Sequence, residues 1–351
     1  MQRVKINTSK AYDVIIGKGL IKKAGELLKE KGVTGKIAIV TDSNVAPLYL
    51  DTLKGSLDEW GYSVISYVFP AGEESKTLET LSSILEFFAE NGMTRKDTAV
   101  ALGGGVTGDM TGFAAGVYMR GISYVQIPTT LLACVDSSVG GKTAVDLKAG
   151  KNLAGVFIQP KAVIADTDAL KTLDKSIYAD GMAEVIKTAV LGDSELFSHL
   201  EKGDADDEYI ISRCVQYKGK IVCEDEFEIG ARKLLNLGHT PAHAIEKLSH
   251  YKTPHGHAVG TGLAIIARAC AKEGLLELDA SKRILSLLGK YSLPLYSEFS
   301  PEDLARESTF YKKRSGNTIS LIKIRNIGDC FIEDVAIDKV QEIFEKGSTS
   351  R

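Results

Sequence analysis

The chain has 351 residues, 44% of them apolar and 25% charged, with a formal net charge of −3. That supplies enough apolar material for a sizeable core in two domains and excludes a disordered chain. No basic field points to nucleic acid and no apolar run is long enough to span a membrane, so an anionic ligand has to be met by local Lys and Arg.

The N-terminus, MQRVKINTSKAYDVII, alternates like a strand and lacks the apolar core of a signal peptide. Short β-branched runs follow at Ile37–Thr41, Val64–Phe69, Thr98–Leu102, Tyr124–Ile127 and Ala162–Ala165, as expected of strands buried on both faces. Helical stretches such as Leu78–Asn91 lie between them, and this alternation predicts a parallel sheet covered by helices. Beyond about residue 170 helical periodicity takes over, at Ala179–Val190, Asp207–Val222, Pro241–Leu248, His257–Glu273, Ala280–Leu288 and Pro301–Ser308. Two late runs, Thr318–Ile324 and Cys330–Val335, flank a turn at Asn326–Gly328 and read as a hairpin. The expected division is an α/β domain over 1–171 and a mostly α-helical domain over 172–351. Cys134, Cys214, Cys223, Cys270 and Cys330 form no CxxC pair and read as reduced thiols of a cytoplasmic protein.

The Thr98–Leu102 strand runs into Gly103-Gly104-Gly105-Val106-Thr107-Gly108-Asp109, a GxGxxG that opens a small-residue helix. Such a turn lets backbone approach a pyrophosphate at a helix N-terminus, and it also serves as a plain tight turn. Asp42 ends an earlier strand, and either accepts from a ribose or caps the helix that TDSNVAPL begins. Gly140-Gly141-Lys142-Thr143 resembles the tail of a phosphate-binding P-loop, but Asp136 stands where that loop needs glycine, so the match fails.

Lys142 and Lys151 flank the glycine-containing stretch GGKTAVDLKAGKN, where mobile point charges suit a phosphate. Arg120 follows the glycine-turn helix, and Lys187, Lys218 and Arg232 fall in the helical half. Taken singly, each also reads as a solvated charge. Histidine is scarce, yet five of the six fall from His239 to His257, and Glu184 lies upstream. Two histidines and a carboxylate make a catalytic zinc set. His239 and His243 are four apart, but Pro241 between them belongs in a helix's first turn. Thr240 is then the expected cap, with His239 just ahead of the helix, so the pair need not share one ion.

The segments GGGVTGD, YMRG, IPTTLLACVDSSVGGKTAVDLKAGKN, ADGMAEVIK, LLNLGHTPAHAIE and PHGHAV occur in this order, and together they closely resemble the 3-dehydroquinate synthase family. The resemblance implies a dehydroquinate synthase-like fold, with a Rossmann-like NAD-binding domain followed by a helical metal- and substrate-binding domain. It implies metal ligands at Glu184, His239 and His255, for one divalent ion, zinc or cobalt. It implies NAD contacts at Asp42, Asn44, Glu73, Lys76, Gly104, Gly105, Asp109, Thr129 and Thr130, with Lys142 and Lys151 reaching both cofactor and substrate. Substrate contacts fall on Asp136, Lys142, Lys151, Asn152, Lys187, Lys218, Arg232, Asn236 and His243. Arg120 matches a residue supplied across a homodimer interface, and Lys312 and Lys313 match a late lysine pair.

Three positions depart from the family pattern. His257 replaces an acidic residue, Ala242 precedes the second histidine, and Tyr311 precedes the lysine pair. The implied reaction converts 3-deoxy-D-arabino-heptulosonate 7-phosphate to 3-dehydroquinate and phosphate, in the shikimate pathway to aromatic amino acids. It proceeds by transient oxidation, phosphate elimination, reduction and aldol closure. The rival readings are another sugar-phosphate cyclase, a metal-dependent polyol or alcohol dehydrogenase of similar fold, and a non-catalytic nucleotide- or metal-binding module. The dehydrogenase needs no lysine clamp for a leaving phosphate, and it would accumulate NADH.

Overall fold

The computed structural model describes residues 1–309 and 317–348. The chain divides into two compact units, one of Met1–Leu173 with Lys218–Phe227, the other of Asp174–Tyr217 with Glu228–Arg351.

The first unit holds strands β1 (Gln2–Ile6), β2 (Tyr12–Gly17), β3 (Ile37–Asp42), β4 (Val64–Phe69), β5 (Thr98–Gly103), β6 (Ser123–Pro128), β7 (Lys142–Leu147), β8 (Gly150–Phe157) and β9 (Ala162–Asp166). Its helices are α1 (Ala24–Glu30), α2 (Ala46–Glu59), α3 (Leu78–Glu90) and α4 (Gly105–Val117). Seven strands form one sheet in the order β1-β2-β9-β6-β5-β3-β4. All neighbours run parallel except β1 and β2.

Alternate residues of the central strands feed two separate cores. Ile37, Ile39, Val100 and Leu102 pack with Leu28, Leu53 and Leu57 on one face. Ala38, Val40 and Ala99 pack with Ile84, Phe88 and Met110 on the other. Each fully buried Leu or Ile contributes about 1.5–3 kcal/mol, so both helix layers are strongly held. β4 is less buried than its sequence implies, because it is the sheet edge and Val68 stays 45% exposed. Thr77 caps α3, accepting from the Thr80 N–H at 3.2 Å.

The strand order reverses between β3 and β5, since β4 lies on one side of β3 and β5 on the other. At such a switch point neighbouring loops leave in opposite directions and open a crevice at the carboxyl ends of the strands. Asp42 ends β3 and the glycine turn ends β5, so both sequence candidates for nucleotide binding stand at this crevice.

The glycine-containing stretch after Gly140 carries two strands that the sequence reading did not mark. It is an antiparallel hairpin, β7 against β8, with a bulge between Val145 and Leu147. Small residues that looked like loop allow close pairing: a Cβ on Gly155 would meet the Thr143 carbonyl oxygen at 2.1 Å.

The second unit contains α5 (Lys175–Gly192), α6 (Ser194–Lys202) and most of α7 (Asp207–Glu224). It continues with α8 (His239–Leu248), α9 (His255–Lys272), α10 (Leu278–Lys290), α11 (Pro301–Thr309), the hairpin β10 (Thr318–Asn326) and β11 (Asp329–Ala336), and α12 (Val340–Gly347). Helix α9 is buried without a break from Ala258 to Cys270, which explains its lack of a polar face. α8 starts two residues earlier than expected. Gly238, with φ of 76°, takes the cap position, so His239 is the first helical residue and Pro241 still falls in the first turn. No disulfide joins the five cysteines. No described helix is long and apolar enough to cross a membrane.

Candidate active site

Three helices of the second unit meet at Glu184. This carboxylate, 1% exposed, sits midway along α5. His239 opens α8 and His255 opens α9, and each sends an Nε2 atom to Glu184 Oε1, at 3.6 Å and 3.4 Å. Among the described residues this is the one three-donor group within metal-ligand reach, its donor atoms lying within 4.8 Å of one another. A tetrahedral ion with bonds of about 2.0–2.2 Å separates its ligand atoms by roughly 3.3–3.6 Å, which these distances match.

The hydrogen bonds fix which nitrogens face the site. His239 Nδ1 lies 3.1 Å from the Leu237 carbonyl oxygen, which only accepts. Nδ1 therefore carries the proton in the neutral ring, and Nε2 presents a lone pair. His255 Nδ1 lies 3.3 Å from Glu246 Oε1, a carboxylate 4% exposed. Thus a lone pair of His239 faces a carboxylate oxygen in a buried place. Both oxygens of Glu184 are buried without a hydrogen bond of normal geometry. Acceptor against acceptor is unfavourable unless a cation lies between, so the donor set fits a divalent ion.

Lys187, one turn along α5 and 2% exposed, pairs with Glu184 Oε2. Burial opposes the charge on Glu184, but Lys187 and the two imidazoles hold the carboxyl well below its ordinary range. Burial, reinforced by Lys187, pushes His239 down to about 3, which keeps it neutral as a ligand must be. His255 resists burial and rises to about 10, because it stands between the Glu184 and Glu246 carboxylates. His243 is exposed on α8, its ring 5.4 Å from that of His239. Asn236 donates to Glu228 Oε1 at 3.0 Å, and Arg232 is 2% exposed.

The first unit gathers a second set. Asp42 Oδ1 accepts from the backbone N–H of Asn44 and Val45, at 2.9 and 3.1 Å, and Oδ2 accepts from Thr107 at 3.1 Å. Asp42 thus holds the turn ahead of α2, whose own cap position is Val45 with no side-chain bond, and it also ties β3 to the glycine turn. Helix α4 starts at Gly105 with Gly104 as its cap residue and no side chain to satisfy its first N–H groups. Those free donors and the positive helix end suit a pyrophosphate. A Cβ on Gly104 would press on Thr130 at 3.2 Å, so the turn and Thr129-Thr130 stand face to face. Thr129 donates its N–H to the Gly103 carbonyl at 3.0 Å, while its hydroxyl is buried without a partner.

Lys76, 5% exposed, pairs with Asp109 at 2.7 Å and donates to Asn152 at 2.5 Å. Burial lowers Lys76, but Asp109 and Glu73 more than offset it. Lys151 pairs with Glu73 at 3.3 Å. Asn152 has φ of 56°, a left-handed conformation held by its N–H to Asp146 at 2.7 Å. Asp136 lies in a π-type turn, and both its carboxylate and its carbonyl meet Lys218, at 2.9 and 2.7 Å. Lys142 begins β7 with its side chain exposed, and Arg120 is exposed beyond α4 with φ of 67°. Lys312 and Lys313 lie outside the described residues.

Sequence reading passed over Glu246, Asp146 and Asp180. Glu246 left a trace, since 239, 243 and 246 follow a spacing of four and three and so share one helix face. The other two left none.

Residues 66–180 match the model of the 3-dehydroquinate synthase N-terminal region, and residues 181–314 match that of its C-terminal region. A 3-dehydroquinate synthase of Streptococcus suis is 41% identical over 343 residues, covering 95% of this chain and 97% of that one. A solved 2-deoxy-scyllo-inosose synthase with carbaglucose-6-phosphate, NAD+ and Co2+ is 25% identical, with a TM-score of 0.88 over 99% of this chain and 100% of that one. A 2-epi-5-epi-valiolone synthase of Streptomyces hygroscopicus with NAD+ and Zn2+ is 26% identical, with a TM-score of 0.87 over 99% of both chains.

Proposed function

The chain belongs to the 3-dehydroquinate synthase family, whose reaction is the carbon–oxygen lyase step from 3-deoxy-D-arabino-heptulosonate 7-phosphate to 3-dehydroquinate and phosphate, and on that premise we propose how its residues divide the work. The observation that carries the proposal is the buried Glu184, whose Oε1 faces two imidazole nitrogens at 3.4 and 3.6 Å while Oε2 pairs with Lys187. Glu184, His239 and His255 hold one divalent ion, zinc or cobalt. The glycine turn, Asp42, Asn44, Glu73, Lys76, Asp109, Thr129 and Thr130 hold NAD. The NAD and metal in the two solved cyclases support this reading.

When bound, the nicotinamide takes up and returns one hydride, and the ion acidifies the substrate hydroxyl it touches. The chain's own residues position and neutralise. Lys142, Lys151, Asn152 and Arg120 hold the phosphate that leaves. Its departure follows oxidation of the neighbouring carbon, which acidifies the C–H next to it, and the phosphate itself accepts the proton. Arg232, Lys218, Asn236 and His243 orient the carboxylate end for ring opening and closure. Asp136 fixes Lys218, and Lys187 balances Glu184 while reaching for substrate anions; Lys312 or Lys313 adds a late contact. This is positioning and fixed electrostatics more than proton relay. A cytoplasmic homodimer, with Arg120 serving the partner's site, belongs to the same proposal.

The test is incubation with the heptulosonate phosphate, NAD and Zn2+ or Co2+. Phosphate and dehydroquinate should rise together in equal amounts with no net NADH. Steady NADH accumulation without phosphate would favour a dehydrogenase. His239→Ala should lose metal and turnover together, and full turnover without bound metal would refute the ligand assignment.

A further inference from the structure

His257 is the histidine that the ligand set leaves over. It lies in the first turn of α9, two residues beyond His255, yet among the described residues the three-donor group does not include it. Its polar groups go elsewhere. The backbone N–H and the ring Nδ1 each lie 3.0 Å from one oxygen, Oδ1 of Asp180. Pro254 occupies the cap position of α9 and offers no side-chain acceptor. A carboxylate from another helix therefore does what a cap side chain does, satisfying an N–H of the first turn.

Asp180 lies on α5, four residues before Glu184. The helices touch at this level through bare backbone. A Cβ on Gly256 would fall 1.9 Å from the Asp180 carbonyl oxygen, so no other residue fits at 256 without moving a helix. Four helical residues advance about 6 Å. The link thus lies one turn from the place where Glu184 and His255 face each other across 3.4 Å. Ligand sets function only within about 0.5 Å of their productive geometry, so the spacing of these two helices decides whether the donors match an ion.

We infer that Asp180 and His257 form a positioning pair that sets α5 against α9 and thereby holds Glu184 and His255 at ligand distance, neither residue of the pair touching the ion. The inference rests on the metal reading above. The pair also explains how His255 keeps its place beside a second histidine that would otherwise compete for the ion.

The test uses metal-stripped full-length protein, Zn2+ affinity by chelator competition, and the absorption spectrum with Co2+. Wild type must bind one ion; failure there removes the metal reading itself and is distinguishable from any effect confined to the variants. Asp180→Ala should weaken Zn2+ by about 10-fold or more, as loss of an outer partner does, and should alter the Co2+ bands. Asp180→Asn keeps an acceptor for the N–H and should recover most of the affinity, which a generic loss of stability would not explain. His257→Ala should weaken binding by about 10-fold, and adding Asp180→Ala to it should cost little more. Folded Asp180→Ala with wild-type affinity and spectrum overturns the inference. If that variant does not fold, wild-type affinity in His257→Ala overturns it instead. A His257→Ala loss as large as that of His255→Ala would make His257 a ligand and also overturn it.

Discussion

Replacing Lys187 with Met keeps the length and apolar stem of the side chain and removes only its charge. Lys187 and Glu184 are each 2% exposed and paired, so the variant leaves a buried carboxylate without its cation. Breaking one side of a buried pair costs about 3–5 kcal/mol. At about 2–4 °C per kcal/mol for a unit of this size, the metal-free variant should melt roughly 6–20 °C below wild type. A divalent ion at Glu184, His239 and His255 neutralises the same carboxylate, so it should restore most of the loss. By linkage, the variant must then bind the ion more tightly than wild type does, since the metal-bound states differ less than the metal-free ones. Calorimetric melting of both proteins, with chelator and with saturating Zn2+, gives all four corners of the cycle. The difference between the proteins should be wide in chelator and narrow in Zn2+. An equal difference in both conditions would show that the ion does not bind Glu184. No difference in chelator would show that the buried pair adds nothing to stability.

Glu246→Ala removes the outer carboxylate that fixes the His255 ring, and should weaken Zn2+ by about 10–100-fold in chelator competition, with Glu246→Gln losing less. Lys142→Ala should raise the substrate Kd far more than the NAD Kd in titration calorimetry; equal losses would move Lys142 to the cofactor. Asp97 stands in the turn before β5, where it accepts from the N–H groups of Lys36 and Thr94, each at 2.6 Å. Asp97→Ala should cost about 1–3 kcal/mol by leaving those donors unmet. Burial acts to raise Asp97, but these hydrogen bonds hold it below its ordinary 3.8, so its contribution is complete above that value and disappears as pH falls through the lowered one. The Tm difference between wild type and Asp97→Asn should therefore shrink in strong acid and stay constant from pH 5 to 8.

The β-branched runs at Ile37, Thr98 and Tyr124 announced the parallel strands, because a strand buried on both faces has no room for polar residues. The 3.6-residue period announced α5, α9 and α10 for the same reason. The hairpin of β7 and β8 escaped, since its Gly and Lys content reads as loop and only the partner strand reveals the pairing. The start of α8 slipped by two residues because Gly238 caps through its left-handed backbone, which no side-chain pattern advertises.

By itself the sequence determined the kinds of chemistry available: a glycine turn after a strand, lysines and arginine for an anion, histidines and a carboxylate for a metal, and the ordered motifs of one family. The tertiary structure decided which of these meet. It brought Glu184, His239 and His255 from three helices to a single point, gave Glu246 to His255, and turned His257 toward Asp180. It also placed Lys218 in the first unit beside Asp136. The physical reason is that periodicity records which face of an element is buried, whereas the partner it is buried against depends on packing between segments far apart in the chain, where distances of a few tenths of an ångström select ligand from neighbour.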